Sequence, residues 1–289
     1  MTDILSWTIG DVTVTRLQEL ELAIAHDPVS PFIPEATPAA LAELPGLVPN
    51  FVTPEGALLL SFHALLVEAP GLRLVVDTCF GNDRDHAFLG GALHTDFLER
   101  MQALGWPPES VDTVICTHLH VDHVGWNTRL VDGVFVPSFP RARYCVAARE
   151  YAHFLAHMTA DDEALAAQAI RPISDAGLLT LVEPYHRFSP EIRLAPTPGH
   201  TAGHVSVIIE SKGQRALISG DFVHHPCQMP RPHWMTPWEH DRDQTLATRL
   251  TQFDALASSG DLLIGTHFPA PTGGHVVRDG DAYLFAQKL

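Results

Sequence analysis

Hydrophobic and polar residues alternate over much of the N-terminal part of the chain, a pattern that predicts β-strands. Residues 7–19 (WTIGDVTVTRLQE) contain two alternating segments around a Gly-Asp pair. Residues 62–78 (FHALLVEAPGLRLVVDT) contain two apolar segments around a Pro-Gly pair. Such pairs are typical of turns between strands. We therefore predict two hairpins, separated by a proline-rich irregular arm at about residues 27–56.

The rest of the chain alternates between predicted strands and helices. Apolar positions three or four residues apart predict helices, and short apolar runs predict strands. The helices lie within residues 94–106, 142–157, 161–170 and 241–260, and the strands within 110–118, 178–184, 191–199, 205–221 and 261–269, with a short one before the second helix. No low-complexity linker divides these elements. We therefore predict one α/β domain over residues 1–289, with two mixed sheets and helices outside them.

The charge and cysteine content of the chain bear on its partners and location. The formal net charge is -16 at pH 7, and a field of that sign repels polyanions, so we expect no nucleic-acid partner. We see no signal peptide and no apolar run of membrane-spanning length, so we expect no membrane association. Four cysteines without metal-binding or redox spacing favour a cytoplasmic protein. The arm at residues 27–56 either reaches a second subunit, giving a homodimer, or wraps its own domain.

Residues 117–126 (THLHVDHVGW) place three histidines and one aspartate within six residues. Imidazole and carboxylate groups together suit zinc and its first-row neighbours. In an extended chain His118 and His120 share a face and can hold one ion. A turn at Asp122 lets Asp122 and His123 point at a second ion. The alternative is a polar loop that happens to be rich in histidine.

Three further candidate ligands also follow predicted strands. His200 lies in TPGHTAGH, Asp221 in ISGDF and His267 in IGTHFP. Functional side chains are often found where strands end and loops begin. If these strand ends converge, the chain offers seven donors, which are too many for one tetrahedral ion and suit two ions.

The order of four motifs, HLHVDH, TPGHTAGH, SGD and GTH, resembles that of the metallo-β-lactamase-fold hydrolase superfamily. The proline-rich arm and the GDFVHHP run are similar to its methyl-parathion-hydrolase-like and acyl-homoserine-lactonase-like branches. The resemblance implies an αββα sandwich. It also implies how the ligands divide between two ions: His118, His120 and His200 on the first, Asp122, His123 and His267 on the second, and Asp221 on both.

Two cations sharing a water lower its pKa and give a hydroxide that can attack a carbonyl carbon or a phosphorus. We predict two divalent ions, Zn2+ first and Mn2+, Fe2+ or Co2+ as alternatives. We therefore predict a binuclear hydrolase that opens small esters, with lactones as the leading class. A phosphotriesterase or aryl-ester hydrolase is the first alternative, and a non-hydrolytic metal-binding protein of the same fold is the second. Asp122 is the candidate catalytic residue, which orients the hydroxide or passes a proton to the leaving group; its alternative role is that of a plain ligand.

Residues close to the ligands are candidates for supporting roles. Asp77 is predicted to accept a hydrogen bond from a ligand histidine, and His204 is predicted either to support a ligand or to stabilise its own turn. Trp126, Phe222 and His225 are predicted to contact the substrate, with packing in the interior as the alternative. As a group they favour a small-molecule ester with an apolar part.

Overall fold

The computed structural model describes residues 4–86 and 89–288. The chain divides into two compact units. The first runs up to Glu19 and continues over Phe62–His186, and the second comprises Leu20–Ser61 and the residues from Arg187 onward. A single domain over residues 1–289 stays a prediction.

The strands are numbered in chain order over the described residues. They are β1 (Ser6–Ile9), β2 (Val12–Ile24), β3 (Leu58–Ala69), β4 (Leu72–Val76), β5 (Asp85–His86), β6 (Gly91–Ala92), β7 (Thr113–Cys116), β8 (Thr128–Val131), β9 (Val134–Pro137), β10 (Arg143–Ala147), β11 (Leu179–Val182), β12 (Ile192–Pro196), β13 (Val205–Ser211), β14 (Gln214–Ile218), β15 (Leu262–Ile264), β16 (Gly273–Asp279) and β17 (Ala282–Ala286).

A seven-stranded sheet has the order β1-β2-β3-β4-β7-β10-β11. The pairs β1–β2 and β3–β4 are antiparallel, and β7 lies parallel to both β4 and β10. Both predicted N-terminal hairpins are therefore confirmed. Their turns use Gly10 and Gly71, whose φ angles of 58° and 73° are left-handed and suit glycine.

A second sheet of six strands has the order β12-β13-β14-β15-β16-β17. Its neighbours are antiparallel except for β14 and β15, which are parallel. The prediction of two mixed sheets with helices is therefore confirmed.

The helices of the described part of the chain are short apart from the last one. They are α1 (Pro38–Ala42), α2 (Phe97–Ala103), α3 (Val121–Val124), α4 (Ala148–His157), α5 (Ala160–Leu165), α6 (Arg171–Asp175) and α7 (Arg242–Ser259), with a π-helical stretch at Ala166–Ile170. The side chain of Asp241 caps the start of α7 by accepting from the N–H of Gln244, and Gly260 ends the helix at a φ of 71°. None of these helices is long and apolar enough to cross a membrane.

Each unit has its own apolar interior. In the first unit, Val75 and Val114 of the sheet pack with Phe97 and Met101 of α2. In the second, Leu217 and Leu263 of the sheet pack with Phe253 and Leu256 of α7, and a further cluster joins the arm residues to Trp234. Burial of each such side chain stabilises the fold by roughly 1.5–3 kcal/mol. The strand ends that carry the candidate ligands are thus anchored in rigid packing.

Two hairpins were not predicted from the sequence, β8–β9 and β16–β17. Each has a two-residue turn that contains glycine and aspartate, Asp132-Gly133 in the first hairpin and Gly280-Asp281 in the second, and such pairs are favoured in hairpin turns. The residues of β8 and the start of β9 are mostly exposed, so they lack the alternation of buried and exposed positions that marks a strand. The arm also contains one short helix, α1, where only irregular structure was expected.

Candidate metal centre

In the first unit, the histidine-rich segment follows β7 and leads into α3. Parallel neighbours on both sides hold β7 in the sheet. The side chains of His118 and His123 are buried at the end of this strand, and His120 occupies the position that precedes α3 with an extended backbone. Rigid strands thus fix the direction in which this segment presents its side chains.

The four candidate ligands of this segment, His118, His120, Asp122 and His123, are called the first donor set. Nε2 of His118 lies 3.0 Å from Nδ1 of His120. Nε2 of His123 lies 3.6 Å from Oδ2 of Asp122. The rings of His118 and His123 are 4.0 Å apart between centroids. These distances bring the four side chains together, and their division between two ions stays a prediction.

Asp77 lies directly behind the first donor set. Its Oδ2 lies 2.8 Å from Nδ1 of His123 and accepts a hydrogen bond of 2.8 Å from the hydroxyl of Thr117. Its Oδ1 accepts a third bond of 2.8 Å from the backbone N–H of Thr117. Because a carboxylate accepts but does not donate, the proton of neutral His123 lies on Nδ1 and its Nε2 carries a lone pair. The contact between Asp77 and a candidate ligand histidine is the one that the sequence predicted, and its supporting role at a metal site stays a prediction.

In the second unit, one carboxylate oxygen is surrounded by imidazoles. Oδ2 of Asp221 lies 3.1 Å from Nε2 of His267, 3.3 Å from Nε2 of His224 and 3.7 Å from Nε2 of His200. The candidate ligands His200, Asp221 and His267 are called the second donor set. Donor atoms of His200, Asp221 and His224 all lie within 4.8 Å of one another, close enough to hold one ion.

His204 supports the second donor set through the backbone. Its Nε2 accepts a hydrogen bond of 2.7 Å from the N–H of Asp221, and its Nδ1 lies 2.9 Å from the hydroxyl of Thr197. His204 is therefore protonated on Nδ1 and donates to Thr197. It fixes the turn that carries Asp221 and has no nitrogen left for a metal ion.

His224 is closer to Asp221 than the sequence indicated. Its side chain is buried, and burial lowers its pKa although the neighbouring Asp221 acts in the opposite direction. Its Nδ1 is buried without a hydrogen-bond partner. Its ring lies parallel to that of His267, with centroids 5.9 Å apart. The position of His224 three residues after Asp221 predicts a side chain that lines a substrate pocket, whereas its place among the nitrogens around Asp221 was not predicted.

Glu239 is the acid that the sequence reasoning missed. Its Oε2 lies 3.2 Å from Nδ1 of His200. Burial alone raises the pKa of Glu239, but the hydrogen bond and charge of His200, with His224 and Arg249, lower the pKa to about 2. Glu239 is therefore an ionised acceptor for His200, as Asp77 is for His123.

The three residues predicted to contact substrate are buried. Nε1 of Trp126 donates to Oε1 of Glu19 at 2.6 Å, and its ring stacks on Phe97. Phe222 belongs to the apolar interior of the second unit. The nitrogens of His225 are both engaged, since Nε2 lies 2.7 Å from the carbonyl oxygen of Phe51 and Nδ1 accepts from the N–H of Cys227 at 3.1 Å. These contacts are those of packing residues, and the predicted substrate contacts stay predictions.

The donor sets fit divalent first-row ions by their chemistry. Two neutral ring nitrogens at 3.0 Å, as in His118 and His120, either share one proton or converge on a cation. A carboxylate oxygen with three imidazole nitrogens around it, as in Asp221, is a mixed nitrogen and oxygen environment of the kind that zinc prefers. Apart from Asp122, whose side chain is 18% exposed, and the partly exposed His120, these donors are buried.

Residues 62–258 match the family model of the Metallo-beta-lactamase superfamily. The match covers more than half of the chain, and the chain belongs to this superfamily. The resemblance noted in the motifs is thereby confirmed, together with the fold that it implies. Membership in this class, with the histidine and aspartate donors in place, supports a metal-dependent hydrolase.

Individual relatives agree with this assignment. An N-acyl homoserine lactonase from Bacillus sp is 29% identical over 112 residues, which are 39% of this chain and only 38% of the lactonase. The crystal structure of AbOPH, a hydrolase in the beta lactamase superfamily, aligns with 99% of this chain and 97% of its own at 26% identity and a TM-score of 0.81. AidC, a dizinc quorum-quenching lactonase in complex with a product, aligns with 98% of this chain and 96% of its own at 19% identity and a TM-score of 0.77. At 19% identity this alignment shows that AidC and this chain have the same fold.

Proposed function

We propose that this chain is a binuclear metal-dependent hydrolase that opens small esters with an apolar part, lactones foremost. The observation that carries the proposal is the second donor set, in which one oxygen of buried Asp221 faces the Nε2 atoms of His200 and His267. A carboxylate in such surroundings suits a ligand shared between two cations. Membership in the Metallo-beta-lactamase superfamily supports the same reading.

The proposal assigns the two donor sets to the same pair of ions. The first ion would be held by His118, His120 and His200, the second by Asp122, His123 and His267, and both by Asp221. Zn2+ is the favoured ion because imidazole nitrogen and carboxylate oxygen are both among its usual ligands. The dizinc description of AidC supports this choice.

Bound divalent ions would lower the pKa of a water toward neutrality and polarise the ester carbonyl. The chain itself must then orient the attacking water and return a proton to the leaving oxygen. Asp122 is the candidate for both roles, because its side chain is 18% exposed while those of its partner His123 and of Asp77 are 1% exposed. A carboxylate in contact with water can accept its hydrogen bond and carry the proton to the departing alkoxide.

An apolar substrate is supported by aromatic side chains next to the second donor set. The ring of Phe32 contacts His224 edge-on, with centroids 5.9 Å apart, and contacts Trp238 at 5.5 Å. Trp238 is 52% exposed. The exposed indole of Trp238 thus packs on Phe32, which in turn contacts His224, and such an aromatic surface is suited to an alkyl or aryl group. Lactones lead the substrate classes because AidC and the Bacillus relative are both described as lactonases.

The test combines elemental analysis of the purified chain with hydrolysis of a lactone, an aryl ester and a phosphotriester. We expect about two transition-metal ions per chain and lactone turnover that is lost on chelation. Turnover of the phosphotriester or aryl ester alone would replace the proposed substrate class. A chain that binds no zinc, manganese or cobalt and gains no activity from them would overturn the proposal.

Single substitutions distinguish the effect of losing a proposed ligand from the effect of losing a surface histidine. Asp221→Ala and His120→Ala each remove a proposed ligand, so each is expected to lower metal content and activity together. His94→Ala serves as the control, because the side chain of His94 is 73% exposed and pairs only with Asp83 among the contacts of the described residues. Full activity in Asp221→Ala would contradict the binuclear site.

A further inference from the structure

Glu239 lies in the loop that leads into α7, and its side chain is 0% exposed. Glutamate is rarely buried to this extent unless it has partners. Its Oε2 lies 3.2 Å from Nδ1 of His200, a residue of the second donor set. The buried acid therefore contacts the side of the imidazole that faces away from Asp221.

Two buried hydroxyls hold the carboxylate of Glu239 in place. Thr245 Oγ1 donates to Oε2 at 3.0 Å, and Thr236 Oγ1 donates to Oε1 at 3.2 Å. Both threonines are fully buried. Because each oxygen has its own donor, rotation of the carboxylate away from His200 would break hydrogen bonds between buried groups, which is costly.

The backbone beside His200 is tied to the same loop. The N–H of His240 donates to the carbonyl oxygen of His200 at 3.0 Å, and the N–H of Asp241 donates to that of Gly199 at 2.9 Å. Gly199 has a φ of 135°, and a Cβ added there would lie 2.4 Å from the backbone nitrogen of Thr245. The backbone at Gly199 therefore lies against the start of α7, an approach that requires glycine. This approach places the imidazole of His200 next to Glu239.

The contact also fixes which nitrogen of His200 carries the proton. A carboxylate offers only lone pairs, so Nδ1 of neutral His200 must donate to Glu239. Its Nε2 is then left with a lone pair, 3.7 Å from Oδ2 of Asp221. A lone pair at Nε2 is what a metal ion needs from imidazole.

We propose that Glu239 is a positioning residue that holds His200, through Nδ1, in the tautomer and orientation in which Nε2 binds a divalent metal ion. The inference rests on the proposed function and adds to it a residue outside the seven assigned ligands. In the first unit, Asp77 bears the same relation to His123. Each donor set thus has one imidazole backed by a buried carboxylate.

The first test is zinc titration of the full chain in competition with a chromophoric chelator. Glu239→Ala is expected to weaken binding at one zinc site by about 10- to 100-fold, the usual range for removal of such a supporting group. Glu239→Gln is expected to fall between Glu239→Ala and the wild type, because its amide oxygen can still accept from Nδ1. Equal zinc affinity in all three proteins, within about twofold, would overturn the positioning role.

Asp241→Ala is the matched control. It removes the side chain that caps α7, two residues from Glu239, and leaves the backbone bond from Asp241 to Gly199 in place. It is expected to lower the melting temperature and to leave zinc affinity unchanged. If Asp241→Ala weakened zinc binding as much as Glu239→Ala, Glu239 would act only through the stability of this loop, and the inference would be wrong.

The second readout is the tautomer of His200 in the metal-free chain, followed by 15N NMR of the imidazole nitrogens. The wild type is expected to carry the proton on Nδ1, and Glu239→Ala to show a mixture or the other tautomer. If Glu239→Ala does not fold, Glu239→Gln and Thr245→Val supply the same comparison with smaller expected shifts. An unchanged tautomer in these variants would contradict the inference.

The two readouts separate this inference from the proposed function. A wild type that binds no metal ion and cleaves no ester would remove the proposed function, and the tautomer measurement would still decide whether Glu239 orients His200. A wild type with two zinc ions and ester turnover, whose zinc affinity and His200 tautomer do not respond to Glu239→Ala, would leave the function standing and remove the positioning role.

Discussion

Oδ2 of Asp77 lies 2.8 Å from Nδ1 of His123, and both side chains are 1% exposed. Asp77 has a left-handed φ of 56°, which aspartate tolerates better than most residues. The turn after β4 thereby aims the carboxylate at the end of β7, its parallel neighbour. The relation makes the orientation of one candidate ligand depend on a residue 46 positions earlier in the chain.

The first prediction concerns Asp77→Asn. The amide keeps the size of the carboxylate but places an NH2 group among the N–H donors of Thr117 and His123. We expect zinc affinity and ester turnover to fall by about 10- to 100-fold. We also expect a loss of roughly 1–3 kcal/mol in the free energy of unfolding, from a buried donor without an acceptor. Chelator competition and urea unfolding measure the two effects.

Asp132→Asn is the control for this change. Asp132 has a φ of 51°, similar to that of Asp77, but is exposed in the turn between β8 and β9. Asparagine is also favoured in such turns. Zinc affinity and stability should therefore stay close to those of the wild type, and an equal loss in both variants would contradict the specific role of Asp77.

The second prediction concerns removal of the metal ions. Ions that bind only the folded chain stabilise it by mass action, by about 2.7 kcal/mol per site when the free ion is at 100 times its dissociation constant. Chelation should therefore lower the melting temperature as well as the activity, and added Zn2+ should restore both. In Asp221→Ala the chelator should change the melting temperature much less. Equal shifts in the two proteins would speak against Asp221 as a ligand.

Of the two buried acids that contact ligand histidines, Asp77 could be predicted from the sequence and Glu239 could not. Asp77 lies in the VVDT motif at the end of a predicted strand, and the usual need of a ligand histidine for a carboxylate acceptor made it a candidate. Glu239 lies 39 residues from His200 in a loop without periodicity. Its contact arises from the packing of the TPGH turn against the start of α7, which is a tertiary relation. Local spacing carries no signal for such a contact.

For the aromatic and histidine residues near the ligands, sequence proximity does not show which way the side chains point. Trp126, Phe222 and His225 lie within four residues of a candidate ligand, and proximity in sequence suggested a pocket. In a turn that carries a metal ligand, some neighbouring side chains point toward the site and others toward the protein interior. The local direction of the backbone determines which. The structure places all three in the interior. Trp238, by contrast, is exposed and packs against Phe32, and no ligand spacing marked it.

The third prediction concerns Trp238→Ala. If the exposed indole contacts the apolar part of the substrate, its removal should raise KM by about tenfold, or roughly 1.4 kcal/mol, for lactones with a long alkyl side chain. KM for lactones with a short side chain should change little, and metal content should not change. Steady-state kinetics with a series of chain lengths provides the measurement.

Tyr185→Ala is the control for this loss of an aromatic surface. Tyr185 is 70% exposed and belongs to the first unit. Its removal should leave KM unchanged for every chain length. If KM of the Trp238→Ala protein depended on the length of the lactone side chain as it does in the wild type, the apolar group of the substrate would bind elsewhere.

The fourth prediction concerns the pH dependence of stability at Glu19. This buried acid accepts hydrogen bonds from the backbone N–H groups of Phe80 and Gly81 and from Nε1 of Trp126. Burial raises its pKa above the usual 4.5, although these hydrogen bonds lower it in part. The folded chain therefore holds this proton more tightly than the unfolded chain does. The stabilising contribution is present below the unfolded pKa and is lost as pH rises through the folded pKa.

Glu19→Gln isolates this effect, because it keeps the shape of the side chain and removes its charge. The amide adds a penalty of about 1–3 kcal/mol that does not depend on pH, since one acceptor becomes a donor. The wild type should lose stability relative to Glu19→Gln as pH rises from 4.5, as measured by urea unfolding at a series of pH values. Glu68→Gln, which changes a 52% exposed side chain paired with Arg73, should show almost no such trend. A wild type that gains stability relative to Glu19→Gln over the same range would mean that the hydrogen bonds to the ionised carboxylate outweigh the cost of burying it.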